Sequence, residues 1–168
     1  MARRVFFSFQ YSNDIFRVNN IRKMNQFESS NDFHDHASHE KIMRGTKESI
    51  QKWIDNQLNG ASVTCVLIGS DTINSEWVKY EIRRSYELKM GIFAVNIHNL
   101  KHIDGTTSAK GRNPLSHWSA NGISFENIYK TYNPLDHTNQ ILTDTWAYNA
   151  VKDNIGNWAE AAALQVNR

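Results

Sequence analysis

The sequence holds a single cysteine, Cys65, among 168 residues. That excludes an internal disulfide framework and a cysteine-rich zinc site. Two prolines and eight glycines are scattered along the chain. They form no linker, repeat or low-complexity tract. No stretch approaches the ~18 consecutive apolar residues of a membrane span. Neither sign of charge prevails: Lys and Arg total 19 and Asp and Glu 17, for a net charge of +2. With the signs interleaved, the chain lacks the footprint of a nucleic-acid or membrane-surface binder. The opening MARRVFFSFQYS has two arginines but no long apolar run and no small-residue cleavage site. The expectation is a cytoplasmic protein without a secretory leader. The length suits one domain, residues 1–168, with enough chain to bury a core.

What is present alternates between strand and helix patterns. Residues 5–9 (VFFSF) are an apolar run of β-formers and read as a buried strand. Residues 13–27 read as a helix carrying Ile15, Ile21, Met24 and Phe27. Residues 29–39 are polar and without period, which predicts a loop with a short strand around 32–35. Ile50, Trp53, Ile54 and Leu58 form one helical stripe that Asn59-Gly60 ends. Residues 62–69 (SVTCVLIG) read as a central parallel strand covered on both faces. Asn74 can cap the next helix, which runs to about residue 90 with Gly91 as its stop. Residues 92–97 (IFAVNI) form another strand. This order argues for crossover connections and a parallel sheet. Residues 101–119 read as a long loop. Residues 138–164 read as mostly helical.

One residue breaks the pattern of its helix. At ~100° per residue from Trp77, Glu81 falls near ~40°, between Trp77 and Val78 on the apolar side. Glu76 and Glu87 fall on the polar side. A carboxylate on an apolar face must be paired, protonated or beside a cavity. The structural alternative is an i, i+3 pair with Arg84. The functional one is a site in the crevice at the C-terminal edge of an open α/β sheet.

Other constellations carry less. His34, His36 and His39, with Asp35 and Glu40, lie in the predicted loop with no second cluster to complete a metal site. They read as solvated histidines or as the rim of a pocket. Cys65 sits within a strand and reads as packing. Ser75 has no histidine base at a readable distance, so a hydrolase triad is unsupported. The turn Phe9-Gln-Tyr-Ser-Asn-Asp14 lacks a glycine-rich phosphate cradle, and its side chains suit either a crevice wall or a helix cap.

Taken together, FFSFQYS, VLIGSDTINSEWVKYEI with its Ser75-x-Trp77-x-x-x-Glu81 spacing, and GIFAVNIHNL resemble the TIR-like domain of bacterial antiviral proteins. The stretch from Asn99-Leu-Lys through Asp104-Gly to Lys110-Gly-Arg-Asn-Pro114 is similar to the subfamily that contains ThsB of the Thoeris anti-phage system. The likeness covers roughly residues 3–118. The chain departs from many TIR domains in having Phe9 for Tyr at the end of the first strand, Gln10 for a charged residue, and Val78 for Cys after the tryptophan.

The resemblance implies a flavodoxin-like (TIR-type) three-layer α/β sandwich with a central, mainly parallel sheet; outside the likeness, residues 119–168 are expected to be a mostly helical C-terminal extension. It implies cleavage of NAD, as substrate rather than cofactor, at the nicotinamide–ribose bond, with the ADP-ribose moiety cyclised or conjugated into a signal for a partner effector. Glu81 is the catalytic residue it implies. Phe9, Gln10, Asp35, Ser75 and Trp77 are candidates to contact the substrate, and no metal or other cofactor is called for. A phage-derived trigger and a homo-oligomer are the further partners. Two other readings remain open: a non-catalytic TIR module that assembles partners, and a flavodoxin-like binder in which Glu81 is structural.

Overall fold

The computed structural model describes residues 3–24, 28–29, 36–137 and 146–166. In chain order the elements are β1 (Arg4–Ser8), α1 (Tyr11–Arg22), β2 (Glu28–Ser29), α2 (His36–Met43), α3 (Lys47–Leu58), β3 (Val63–Ile68), α4 (Glu76–Glu87) and β4 (Gly91–Asn96). There follow β5 (Ser119–Ala120), β6 (Ile123–Ser124), α5 (Phe125–Ile128), β7 (Thr131–Tyr132) and α6 (Trp146–Val166). The main sheet has five strands in the order β2-β1-β3-β4-β7, and every pairing is parallel. This is the flavodoxin-type order, whose direction reverses between β1 and β3. The chain is thus an α/β protein with helices on both faces of a parallel sheet.

Period-two alternation sorts the core. Val5, Phe7, Cys65, Leu67, Phe93 and Val95 turn toward α1 and α6. Phe6 packs with Ile50, Ile54 and Leu58 of α3, and Val66, Ile68, Ile92 and Ala94 pack with Val78 and Ile82 of α4. All six residues of β3 are buried, as expected of a strand covered on both faces. Thr64 is the polar residue in that run. Its Oγ1 lies 2.7 Å from Ser85 Oγ, which reaches the carbonyl of Glu81 at 2.7 Å. The pair satisfies a buried hydroxyl and ties α4 to the sheet.

The long connection after β4 is clasped. Arg17 is 3% exposed and donates to Asp14 Oδ1 at 3.1 Å, the Leu100 carbonyl at 2.7 Å and Ser108 Oγ at 2.7 Å. Burial raises the Asp14 carboxyl above its ordinary range despite Arg17 beside it. Residues 98–108 are thereby held against α1. The connection ends in a 3-10 turn, Pro114–His117, capped by Asn113.

Several expectations are corrected. Helix α1 starts at Tyr11 rather than 13, because the Gln10 side chain caps it by accepting from the Ser12 amide at 3.0 Å. Residues 36–39, read as loop, open helix α2. The strand expected at 32–35 lies outside the described residues; a two-residue strand, β2, stands before it at Glu28–Ser29. Ser75, not Asn74, caps α4, accepting from the Val78 amide at 3.2 Å. That helix ends at Glu87, and Lys89 makes the turn with φ 57°. Gly91 is not the stop; it opens β4. Within the stretch expected to be mostly helical, residues 119–137 also hold the β5–β6 hairpin and the fifth strand of the sheet beside a single turn of helix. A two-residue strand is too short for periodicity to reveal. Nor is α6 an appendage. Its stripe Ala147, Val151, Ile155, Trp158 and Ala162 covers the same sheet face as α1.

Gly91 marks where α6 comes closest to the sheet. A Cβ there would stand 2.7 Å from the Ala162 carbonyl group. Backbone on a packed helix has little room to yield. Gly91→Ala is therefore expected to lower stability by roughly 1–3 kcal/mol, read as a lower urea midpoint with unchanged slope.

Candidate active site

Helix α4 begins at the C-terminal edge of the sheet, and Ser75 fixes its first turn through the cap. From that start the inward stripe is Val78, Glu81, Ile82 and Ser85, all buried. Three of these suit a core, and Glu81 alone carries a carboxyl. It is 8% exposed. The structure pairs it across 73 residues with β1: Ser8 Oγ donates to Glu81 Oε1 at 2.9 Å. The expected alternative partner, Arg84, is engaged elsewhere. Its guanidinium meets Asp55 at 3.1 Å and Glu87 at 3.5 Å. Burial pushes the Glu81 carboxyl up to about 8, and the Ser8 hydrogen bond, which favours the ionised form, offsets only part of that shift.

Glu81 lines a cavity of about 250 Å³ whose wall includes Phe9, Gln10, Ser75 and Trp77. Five of the six residues singled out from the sequence are therefore brought together. Asp35 lies outside the described residues. The individual positions follow from local structure. Phe9 and Gln10 follow β1 and lead into α1. The Phe9 and Tyr11 rings lie 5.9 Å apart, and Tyr11 stacks on His39 of α2 with centroids 3.8 Å apart and planes 2° from parallel. Trp77 stands edge-on to Tyr80 at 5.9 Å.

Ser8, Met43, Trp53 and Ile54 are the cavity and carboxyl partners that sequence reasoning passed over. Ser8 was readable as the one polar residue in VFFSF. The others arrive from α2 and α3, across distances that local periodicity does not carry. Among the described residues no group of three or more His, Cys, Asp or Glu could hold a metal. His39 instead serves as aromatic wall. Cys65 is buried in β3, and burial drives its thiol well above its ordinary value, which suits packing rather than nucleophilic chemistry.

The chemistry available is that of one enclosed carboxyl facing aromatic rings, with no Lys or Arg in the described lining. A parallel sheet of flavodoxin order with such a group at its C-terminal edge is an α/β domain with its candidate site in the crevice where such sheets bind ligands. The family described as "Thoeris protein ThsB, TIR-like domain" matches residues 6–102. The chain belongs to that family. It is 41% identical over 123 residues to a Bacillus cereus (strain MSX-D12) protein named "Putative cyclic ADP-D-ribose synthase ThsB1". The match takes in 70% of this chain and 63% of that relative's length. No helix among the described residues is long and apolar enough to cross a membrane.

A carboxyl held at about 8 when folded and near 4.5 when exposed binds its proton more tightly in the native state. The stability this contributes is complete below about 4.5 and is lost as pH rises toward about 8. Glu81→Gln keeps the size and removes the titration. The variant is expected to melt above wild type at pH 8, by an amount that shrinks toward pH 5. Parallel thermal melts across that range check this.

Proposed function

We propose that this protein is an anti-phage defence enzyme that cleaves NAD at the nicotinamide–ribose bond. The ADP-ribose moiety then becomes a signalling nucleotide, a cyclic ADP-ribose isomer or a conjugate, that activates a partner effector. The observation that carries the reading is the Glu81 carboxyl, buried against Ser8 at an aromatic cavity without a Lys or Arg in its described lining. Membership of the Thoeris family and the name of the Bacillus cereus relative support it. The whole chain is taken to act as one TIR-like domain.

The chemistry follows from charge. When the ribose C1′–N bond breaks, its electron pair stays with nicotinamide, which leaves neutral and needs no acid. Positive charge develops on the ribose, as in glycoside cleavage. A fixed carboxylate beside the sugar stabilises that charge and holds the ribose hydroxyls. An internal nucleophile of the ADP-ribose then closes a cyclic product with loss of a proton, a second molecule gives a conjugate, and water gives ADP-ribose. Phe9 and Trp77 supply flat apolar walls for the nicotinamide ring. Gln10 and Ser75 are spent on helix caps through their side-chain oxygens, so their substrate contacts are left to the remaining polar atoms.

The raised Glu81 value belongs in the same account. The cationic nicotinamide ring of NAD is the missing positive neighbour, and its arrival favours the carboxylate. Binding of a non-cleavable carba-NAD at pH 7 should therefore release a proton in wild type and none in Glu81→Gln. Calorimetry in two buffers of different ionisation heat reads the difference.

The deciding experiment is NAD consumption with product mass, for wild type and Glu81→Gln, in lysate of phage-infected cells. The expected loss is on the order of 10²–10³ in rate. The wild-type kcat/KM should rise with pH and level above about 8. If neither protein consumes NAD where a known responder reacts, the non-catalytic assembly module becomes the better reading.

A further inference from the structure

The Glu81 cavity, at about 250 Å³, is below the ~300–1,000 Å³ usual for drug-sized ligands, and a dinucleotide is larger still. Its described lining also suits a pyrophosphate poorly: it holds one acid and no Lys or Arg to offset two phosphate charges. Only one end of a dinucleotide can sit there. The rest needs a neighbouring surface with cations for the phosphates and rings for the base.

Such a surface adjoins it. A groove of about 540 Å³ runs between α3 and α4 and shares Trp77 with the cavity as a common wall. Its lining includes Tyr80 and Trp118, together with Lys47, Lys79 and Arg83. The walls are held in place. Trp118 Nε1 donates to the Lys79 carbonyl at 3.0 Å, and the Tyr80 hydroxyl donates to Asp55 at 2.8 Å. Arg83 lies over the Tyr80 ring, 5.4 Å from its centre. Glu76 is the one acid in the lining, and it meets Lys79 at 3.4 Å. Lys47 is different. It is exposed on the first residue of α3, where the helix dipole disfavours a cation. No carboxylate among the described residues pairs with it within salt-bridge distance. A lysine held against the dipole beside two further cations and three aromatic side chains is suited to a phosphorylated aromatic ligand.

The geometry points to this groove as the seat of the adenosine-diphosphate half of the dinucleotide, with Trp77 as the partition between it and the Glu81 cavity. The assignment rests on the NAD reading of the cavity. Lys47, Lys79 and Arg83 would meet the pyrophosphate, and Trp118 and Tyr80 the adenine.

The test uses the full chain and two probes, ADP and NAD, followed by the indole N–H signals of its tryptophans. ADP is expected to shift Trp77 and Trp118 and leave Trp146 and Trp158, on the opposite face, unmoved. NAD added to Glu81→Gln is expected to shift Trp53 of the cavity as well. Lys47→Glu combined with Arg83→Gln, two exposed positions, should weaken ADP at least tenfold while circular dichroism shows the fold retained. Adenosine, lacking phosphates, should be insensitive to that change. The assignment is overturned if ADP leaves Trp118 unmoved, or if the double variant binds ADP as wild type does. A Glu81→Gln protein that cleaves NAD at the wild-type rate overturns the reading of the cavity instead, and leaves the ADP result standing.

Discussion

The hydrogen bond from Ser8 to Glu81 joins the last residue of β1 to the middle of α4. It allows a carboxyl to be enclosed where a core would otherwise demand an apolar side chain. Removing a carboxylate from water costs several kcal/mol, and one hydroxyl returns only part of that. The remainder appears as the raised proton affinity. Everything else around the site keeps α4 from relieving that tension by rotating outward. Val78 and Ile82 are fully buried beside it, Ser75 caps the first turn, and Ser85 binds Thr64 of β3. If Glu81 is the catalytic group proposed above, activity and stability pull against each other at position 81.

The location follows from topology. In the order β2-β1-β3-β4-β7 the chain leaves β1 and β3 in opposite directions, which opens a crevice at their C-terminal ends. Helices α3 and α4 wall one side of it. On the other side the Arg17 clasp holds the connection after β4 down onto α1, and the glycines at 69 and 111 permit the close approach. A Cβ on Gly69 would strike the Asp14 carboxylate, and one on Gly111 the Gly69 carbonyl. The sheet's C-terminal edge is thus rigid where the loops cross it, and the cavity opens between elements that are well packed.

Long apolar runs and helical stripes were legible in the sequence: β1, α3, β3, α4 and β4 each lie within a residue or a few of their expected bounds. So was Glu81, because a charge on the wrong side of a helical wheel is a local contradiction. What stayed hidden was set by distance rather than by pattern. Two-residue strands such as β2 and β7 borrow their conformation from a neighbour. The Asp14–Arg17 pair looks like an ordinary exposed i, i+3 contact until the connection after β4 folds over it. Gly91 sits one turn past a helix and reads as its stop, yet its purpose lies with Ala162, far along the chain. The partner of Glu81 was missed for the same reason, since nothing local connects residue 81 with residue 8.

Charge placement completes the argument. The described lining of the cavity holds a carboxyl and no Lys or Arg, while the lining of the groove beyond Trp77 holds Lys47, Lys79 and Arg83 and a single acid. NAD carries the complementary order, with a cationic pyridinium at one end and a pyrophosphate in the middle. A substrate bound in that sense would supply each region with the charge it lacks. Reversed, it would set the pyridinium among the cations of the groove and leave the Glu81 carboxyl without a positive neighbour. Repulsion between the pyridinium and those cations disfavours the reversed orientation. On the proposed reading, the same asymmetry would ionise Glu81 only when the correct end is in place, because only the pyridinium would draw its proton off.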